Sequence, residues 1–157
     1  MFQLKTSAPA QTYALGMKLA EKINHGLVIL LEGDLGAGKT LFVQGLAAGM
    51  HVAESVTSPT FNLMNVYQGD YKLYHFDLYR LEREEELEEI GFYEYVEPED
   101  DVVIIEWPDK FPQCLPEECL YIKIERGAGE EQREITVHLQ GEKSRDIYEE
   151  LEASCLF

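Results

Sequence analysis

The chain has 157 residues, a formal net charge of −17 and 45% hydrophobic residues. That length suits one domain burying roughly two thirds of its unfolded surface, and it leaves no room for a second catalytic domain. Thirteen Lys and Arg stand against 30 Asp and Glu, a balance poorly suited to neutralising a phosphate backbone, so autonomous binding to DNA or RNA is not expected.

In chain order, residues 8–23 read as an opening helix with Leu15, Leu19 and Ile23 on one face. The unbroken apolar run 27–31 has the character of a strand buried on both faces. Gly33, Asp34, Leu35, Gly36, Ala37, Gly38, Lys39 and Thr40 then complete the phosphate-loop pattern G-x-x-x-x-G-K-[ST]. Residues 41–50 continue as a helix, with Phe42, Leu46 and Met50 spaced four apart. Strand, glycine loop and helix predict a site for a nucleoside triphosphate. Backbone N–H groups turn inward where glycines carry no Cβ, and the helix adds its positive end. Lys39 is placed to reach the β- and γ-phosphates, and the Thr40 hydroxyl to hold Mg²⁺.

Residues 61–67 and 71–77 are β-rich and separated by Gln68, Gly69 and Asp70, a hairpin pattern. Residues 82–101 concentrate the acidity, with Leu81, Leu87 and Ile90 forming one apolar edge of a short helix that Gly91 ends. This stretch is either a solvated acidic face or a docking surface for a basic partner. Residues 102–105 form another buried strand, and 120–125 and 135–139 alternate as a second antiparallel pair. The tail from residue 142 carries no assignable pattern. The fold expected is a single small α/β P-loop NTPase domain spanning 1–157, its mixed sheet mostly parallel at the centre with antiparallel additions. No signal-like start or membrane-length apolar run is present, and Cys114, Cys119 and Cys155 make an odd set. A cytoplasmic protein with incidental thiols is expected.

Three further segments carry chemistry. Glu106 follows the 102–105 strand directly, the Walker B position for a carboxylate that assists Mg²⁺. Trp107, the single tryptophan, comes next and either packs in the core or walls the site. His75, Asp77 and Tyr79 alternate, so an extended backbone puts all three on one face, followed by Arg80. Asp77 there could orient or deprotonate an attacking water, the alternative being a hydrogen-bonded polar strand face. Thr57, Ser58, Pro59 and Thr60 occupy the connection that senses γ-phosphate in many P-loop enzymes, or form a simple turn.

The combination G-D-L-G-A-G-K-T, T-S-P-T-F, H-F-D-L-Y-R-L and I-E-W-P resembles the bacterial TsaE (YjeE) family, the tRNA threonylcarbamoyladenosine biosynthesis ATPase. The resemblance runs from about Thr12 to about Leu139. It implies a small P-loop α/β domain that hydrolyses ATP in support of threonylcarbamoyl transfer to N6 of adenosine 37, in tRNAs reading codons that begin with A. It also implies that the chain works with the TsaB and TsaD proteins, TsaD performing the transfer. On this chain it implies phosphate and Mg²⁺ binding by Lys39 and Thr40, metal assistance by Glu106 and acid or base work by Asp77. Thr60 and Trp107 fall in motifs of the family's site, and Thr12 and Arg133 match positions near the nucleotide.

Two other classes share the loop. A small-molecule kinase would carry a lid with several arginines, whereas Arg80, Arg83, Arg126, Arg133 and Arg145 are few and scattered. A GTPase would need an N-K-x-D guanine reader, and no Asn here precedes Lys.

Overall fold

The structure, a computed structural model, describes residues 1–59 and 63–155. Its elements are β1 (Phe2–Thr6), α1 (Pro9–Lys22), β2 (Leu27–Glu32), α2 (Lys39–Gly49), β3 (Met64–Gln68), β4 (Lys72–Asp77), α3 (Glu85–Glu89), β5 (Val102–Glu106), β6 (Cys119–Arg126), β7 (Arg133–Gln140) and α4 (Arg145–Cys155). The seven strands form one sheet in the order β1-β7-β6-β2-β5-β4-β3. Its centre, β6-β2-β5-β4, is parallel, and antiparallel strands extend it at both edges. This is the mixed sheet expected from the sequence.

Continuous apolar runs belong at the centre because both faces of a parallel sheet are covered. Ile29, Leu31, Ile104 and Ile122 point to one face and pack with Leu19, Phe42, Leu46 and Leu151 of α1, α2 and α4. Val28, Leu30, Val103 and Ile105 point to the other, packing with Phe76, Leu81, Leu87, Phe92 and Phe111. The acidic segment is therefore structural on its inner side. Leu81 and Leu87 are buried, and Gly91 takes φ 75° where α3 ends. Its carboxylates lie outward along the cover of the second face, as the exposed Glu82, Glu85, Glu88 and Glu89 show.

α1 and α2 cross closely enough to require glycine. A Cβ on Gly45 would stand 2.0 Å from the Tyr13 carbonyl oxygen, and one on Gly16 would stand 2.3 Å from that of Phe42. The crossing fixes α2, and with it the glycine loop, against α1.

Two elements go beyond the sequence expectation. β1 pairs antiparallel with β7, with Thr6 opposite Arg133. The tail from residue 142 contains α4, which buries Ile147, Tyr148 and Leu151. Lys18 of α1 donates to the Ser154 carbonyl at 3.1 Å. His25 also holds α4: Nδ1 faces the Gly26 carbonyl at 2.8 Å and Nε2 faces Asp146 at 2.9 Å. Both ring nitrogens meet acceptors, which only the doubly protonated ring satisfies. The Asp146 hydrogen bond accordingly raises the His25 pKa, and His25 lowers that of Asp146.

The raised His25 pKa stabilises the fold fully below the unfolded histidine value of about 6.5, and that contribution is lost as pH climbs through the folded value. The lowered Asp146 pKa acts in full above the unfolded value of about 3.9 and is lost on acidification through its folded value. Thermal melts across pH should therefore show this increment largest between the two unfolded values. His25→Gln should remove the alkaline-side decline belonging to this pair; a variant whose Tm retains the full wild-type decline would refute the assignment.

Candidate functional site

The glycine loop leaves the end of β2, and Gly38 caps α2 at φ 112°, ψ 13°, a left-handed conformation that glycine adopts without strain. Gly36 also has positive φ, at 80°. Lys39 opens the helix and is only 6% exposed, and its Nζ makes no hydrogen bond to the described residues. Its charge is met by Glu106 Oε1 at 3.8 Å and by the indole of Trp107, 3.9 Å from the ring centroid. Burial pushes the Lys39 pKa down, and Glu106 works against that shift. A nearly buried ammonium with three unused donors, beside a helix N-terminus, fits an anionic oxygen group.

Parallel pairing of β4 with β5 sets Asp77 directly opposite Glu106. Both border a cavity of about 530 Å³ together with Lys39, Thr40 and Trp107. Asp77 is half-buried, and its Oδ1 accepts from the Tyr79 N–H at 3.0 Å. Burial raises its pKa, the Tyr79 hydrogen bond opposes the rise, and the nearby Glu106 adds to it. A carboxyl shifted in that direction suits proton transfer. Glu106 is 3% exposed, and His75 lies beneath it, fully buried, donating from Nε2 to Glu106 Oε2.

Trp107 turns the chain out of β5 in a left-handed conformation, φ 58°, ψ 49°. A non-glycine residue there costs about 1–2 kcal/mol, and such strain clusters at functional sites. The turn lays the indole over Lys39 and against the ring of Tyr79, centroids 4.8 Å apart. Trp107 thus forms a wall of the cavity, which it also separates from a neighbouring one of about 410 Å³.

The sequence-predicted residues fall into three groups. Leu35, Gly36, Gly38, Lys39, Thr40, Asp77, Glu106 and Trp107 border the first cavity. Gly33, Asp34 and Ala37 border the second, on the far side of the loop. Thr12 and Arg133 support the loop from outside the first cavity. Thr12 is buried, pairs with the Thr6 hydroxyl at 3.3 Å, and lies 3.7 Å from where a Gly38 Cβ would be. Arg133 donates to the Ala37 carbonyl at 2.8 Å and the Gly36 carbonyl at 3.4 Å. Thr60 lies outside the described residues.

Three residues gain roles not assigned from the sequence. The Ser58 hydroxyl sits 2.9 Å from that of Thr40, tying the 57–59 connection to the start of α2. Arg126 donates to the Leu35 carbonyl at 3.1 Å, so two arginines from the β6–β7 hairpin hold the loop. His75 was visible as part of the alternation with Asp77, but its partner is set by strand pairing and had no local signal.

Parallel strands ending at a glycine loop that opens a helix, with an acid at the end of the neighbouring strand, define a protein of the P-loop NTPase fold class. The family model for "Threonylcarbamoyl adenosine biosynthesis protein TsaE" matches residues 6–135, and the chain belongs to that family. It is 42% identical over 154 residues to the tRNA threonylcarbamoyladenosine biosynthesis protein TsaE of Bacillus subtilis, covering 96% of this chain and 95% of the relative. It is 43% identical over 122 residues to the protein of the same name from Treponema pallidum, covering 78% and 89%. Among solved structures it resembles the crystal structure of Bacillus subtilis YdiB, with a TM-score of 0.79, 35% identity, and coverage of 98% of this chain and 95% of that one.

Arg133→Ala should loosen the loop while leaving the sheet intact. Charge-assisted hydrogen bonds of this kind contribute about 1.5–3 kcal/mol, less where solvent competes. Amide exchange at Gly36, Ala37 and Gly38 should quicken more than exchange in β2. Unchanged loop exchange would mean that Arg133 carries no part of the loop's rigidity.

Proposed function

We propose that the chain binds and hydrolyses ATP with Mg²⁺, as an accessory subunit for threonylcarbamoyl modification of adenosine 37 in tRNAs reading A-starting codons, acting with TsaB and TsaD. The observation carrying this is Lys39: a residue 6% exposed whose ammonium has no hydrogen bond among the described residues, at the N-terminus of a glycine-capped helix and facing a cavity that holds two carboxylates. Family membership and the names of the relatives supply the tRNA modification.

Thr40 and Glu106 are the residues that would hold Mg²⁺, which when bound would neutralise phosphate charge. Among the described residues no group of three or more His, Cys, Asp and Glu forms a protein-only cage, in keeping with an ion that takes most of its oxygens from nucleotide and water. Loop amides and Lys39 bind and orient the phosphates. Asp77, with its raised pKa, accepts or steers the proton of the attacking water. Trp107 and Tyr79 exclude bulk water from one side of the cavity. Cavity-lining arginine is limited to Arg80 among the described residues, which supports ATPase over small-molecule kinase. The net charge of −17 favours a partner that holds the tRNA itself. Among the described residues no helix is long and apolar enough to cross a membrane.

Lys39→Ala should fold, since it removes a buried charge, yet weaken ATP binding by about 30-fold or more, because the phosphates lose a desolvated partner worth about 2–5 kcal/mol. Asp77→Asn should keep nucleotide affinity and lose about 100-fold or more in hydrolysis, whereas Glu106→Gln should weaken Mg²⁺-dependent binding. Titration calorimetry with ATP and ADP, in Mg²⁺ and in EDTA, distinguishes these outcomes. Wild-type hydrolysis by Asp77→Asn would remove it from the chemistry.

The isolated chain should be nearly idle and be stimulated by the TsaB–TsaD pair. A positive group supplied in trans contributes about 10³–10⁵ in other P-loop enzymes. Phosphate release followed across a salt series should show stimulation fading above about 0.1 M if the acidic 82–101 face makes the contact. Full activity without partners, or phosphorylation of a small acceptor, would favour the kinase.

A further inference from the structure

His75 is fully buried in β4, on the strand face that also carries Leu73 and Asp77. A buried imidazole demands a partner, and it finds one in Glu106: Nε2 donates to Oε2. Nδ1, by contrast, has no partner among the described residues. Among the described residues the ring's hydrogen bond is thus to a carboxylate at the cavity.

The other oxygen of Glu106 is the informative one. Oε1 lies 3.8 Å from Lys39 Nζ, beyond hydrogen-bond distance, and Glu106 lines the cavity together with Lys39 and Thr40. Asp77 stands opposite Glu106 in strand register, and two carboxylates so placed repel. The imidazole below Glu106 occupies one of its oxygens, Oε2, while the other, Oε1, is the one nearest Lys39. Histidine and carboxylate pairs that orient metal-facing groups work in the same manner.

We propose that His75 is a positioning residue: by holding Oε2 of Glu106 it fixes Oε1 toward the divalent cation of the bound nucleotide. His75 touches neither the nucleotide nor the cation. It acts through Glu106 alone and rests on the function proposed above, so the test measures cation dependence of binding rather than turnover.

ADP binding is titrated by calorimetry across a Mg²⁺ series and in EDTA. In His75→Leu the Mg²⁺ concentration for half-maximal enhancement of ADP affinity should rise about 10- to 100-fold, the scale of such supporting contacts, while affinity in EDTA changes less than about two-fold. His75→Gln, whose amide nitrogen reaches about as far as Nε2, should recover most of the loss. His75→Asn, whose amide ends near the Nδ1 position, should not. In a Glu106→Gln background, His75→Leu should add no further shift. A purely structural histidine would give the same loss in Gln and Asn variants, or a loss in EDTA equal to that in Mg²⁺, and either result overturns the proposal. Should His75→Leu fail to fold, the contrast between the two amide variants decides. A wild-type chain that binds no ADP in either condition overturns the parent function, whereas normal ADP binding with Mg²⁺ dependence indifferent to His75 overturns this inference alone.

Discussion

A charged ammonium is held almost out of water at the start of α2, and much of the structure around it answers that constraint. Burying an unpaired charge costs several kcal/mol unless neighbours offset it. Here the offsets are partial: a carboxylate at 3.8 Å, an aromatic face at 3.9 Å, and no hydrogen bond among the described residues. The carboxylate is itself buried and needs the imidazole of His75 beneath it. The aromatic face is available only because Trp107 accepts a left-handed backbone. Each compensation draws in a further residue, and together these occupy the ends of β4 and β5 and the loop after β2.

Parallel register brings these groups together. The partners of β5 are Leu27–Leu31 on one side and Leu73–Asp77 on the other, aligned so that Leu31, Glu106 and Asp77 end level. Chemistry at the carboxyl ends of parallel strands is thus a consequence of pairing order. The second face of the sheet, covered by the acidic segment, holds the strands at this level through Leu81, Leu87 and Phe92. That segment joins a structural inner side to a highly charged outer one.

The central strands, the loop and α1 and α2 were legible in the sequence because each carries a strong local pattern: an apolar run, a glycine motif, or four-residue spacing. β1 was not, since Phe2 and Leu4 are half-buried and too few to define an alternation without β7 beside them. α4 escaped for a related reason. Its apolar face, Ile147, Tyr148 and Leu151, follows a polar start, and α1 is what gives that face a surface to cover. At the site, Lys39, Asp77 and Glu106 stood out by motif and position. Ser58, Arg126 and the pairing of His75 with Glu106 depend on contacts across 18, 91 and 31 residues, which no local spacing encodes.

Those separations also bear on how the chain is made. The carbonyls of Leu35 and Ala37 are held by arginines 91 and 96 residues further along. β2, a run of five almost fully buried residues and a sixth half-buried, lies between β5 and β6, neither of which has been translated when β2 emerges. At about 5–20 residues per second, roughly 5–20 s pass between synthesis of the loop and synthesis of its second arginine. For the first part of that interval, about 4–15 s at the same rate, β2 has no partner on either edge, because β5 is complete only at Glu106. The nascent chain is therefore a natural client for chaperones that shield apolar segments, and translation speed through residues 40–120 sets how long that protection is needed.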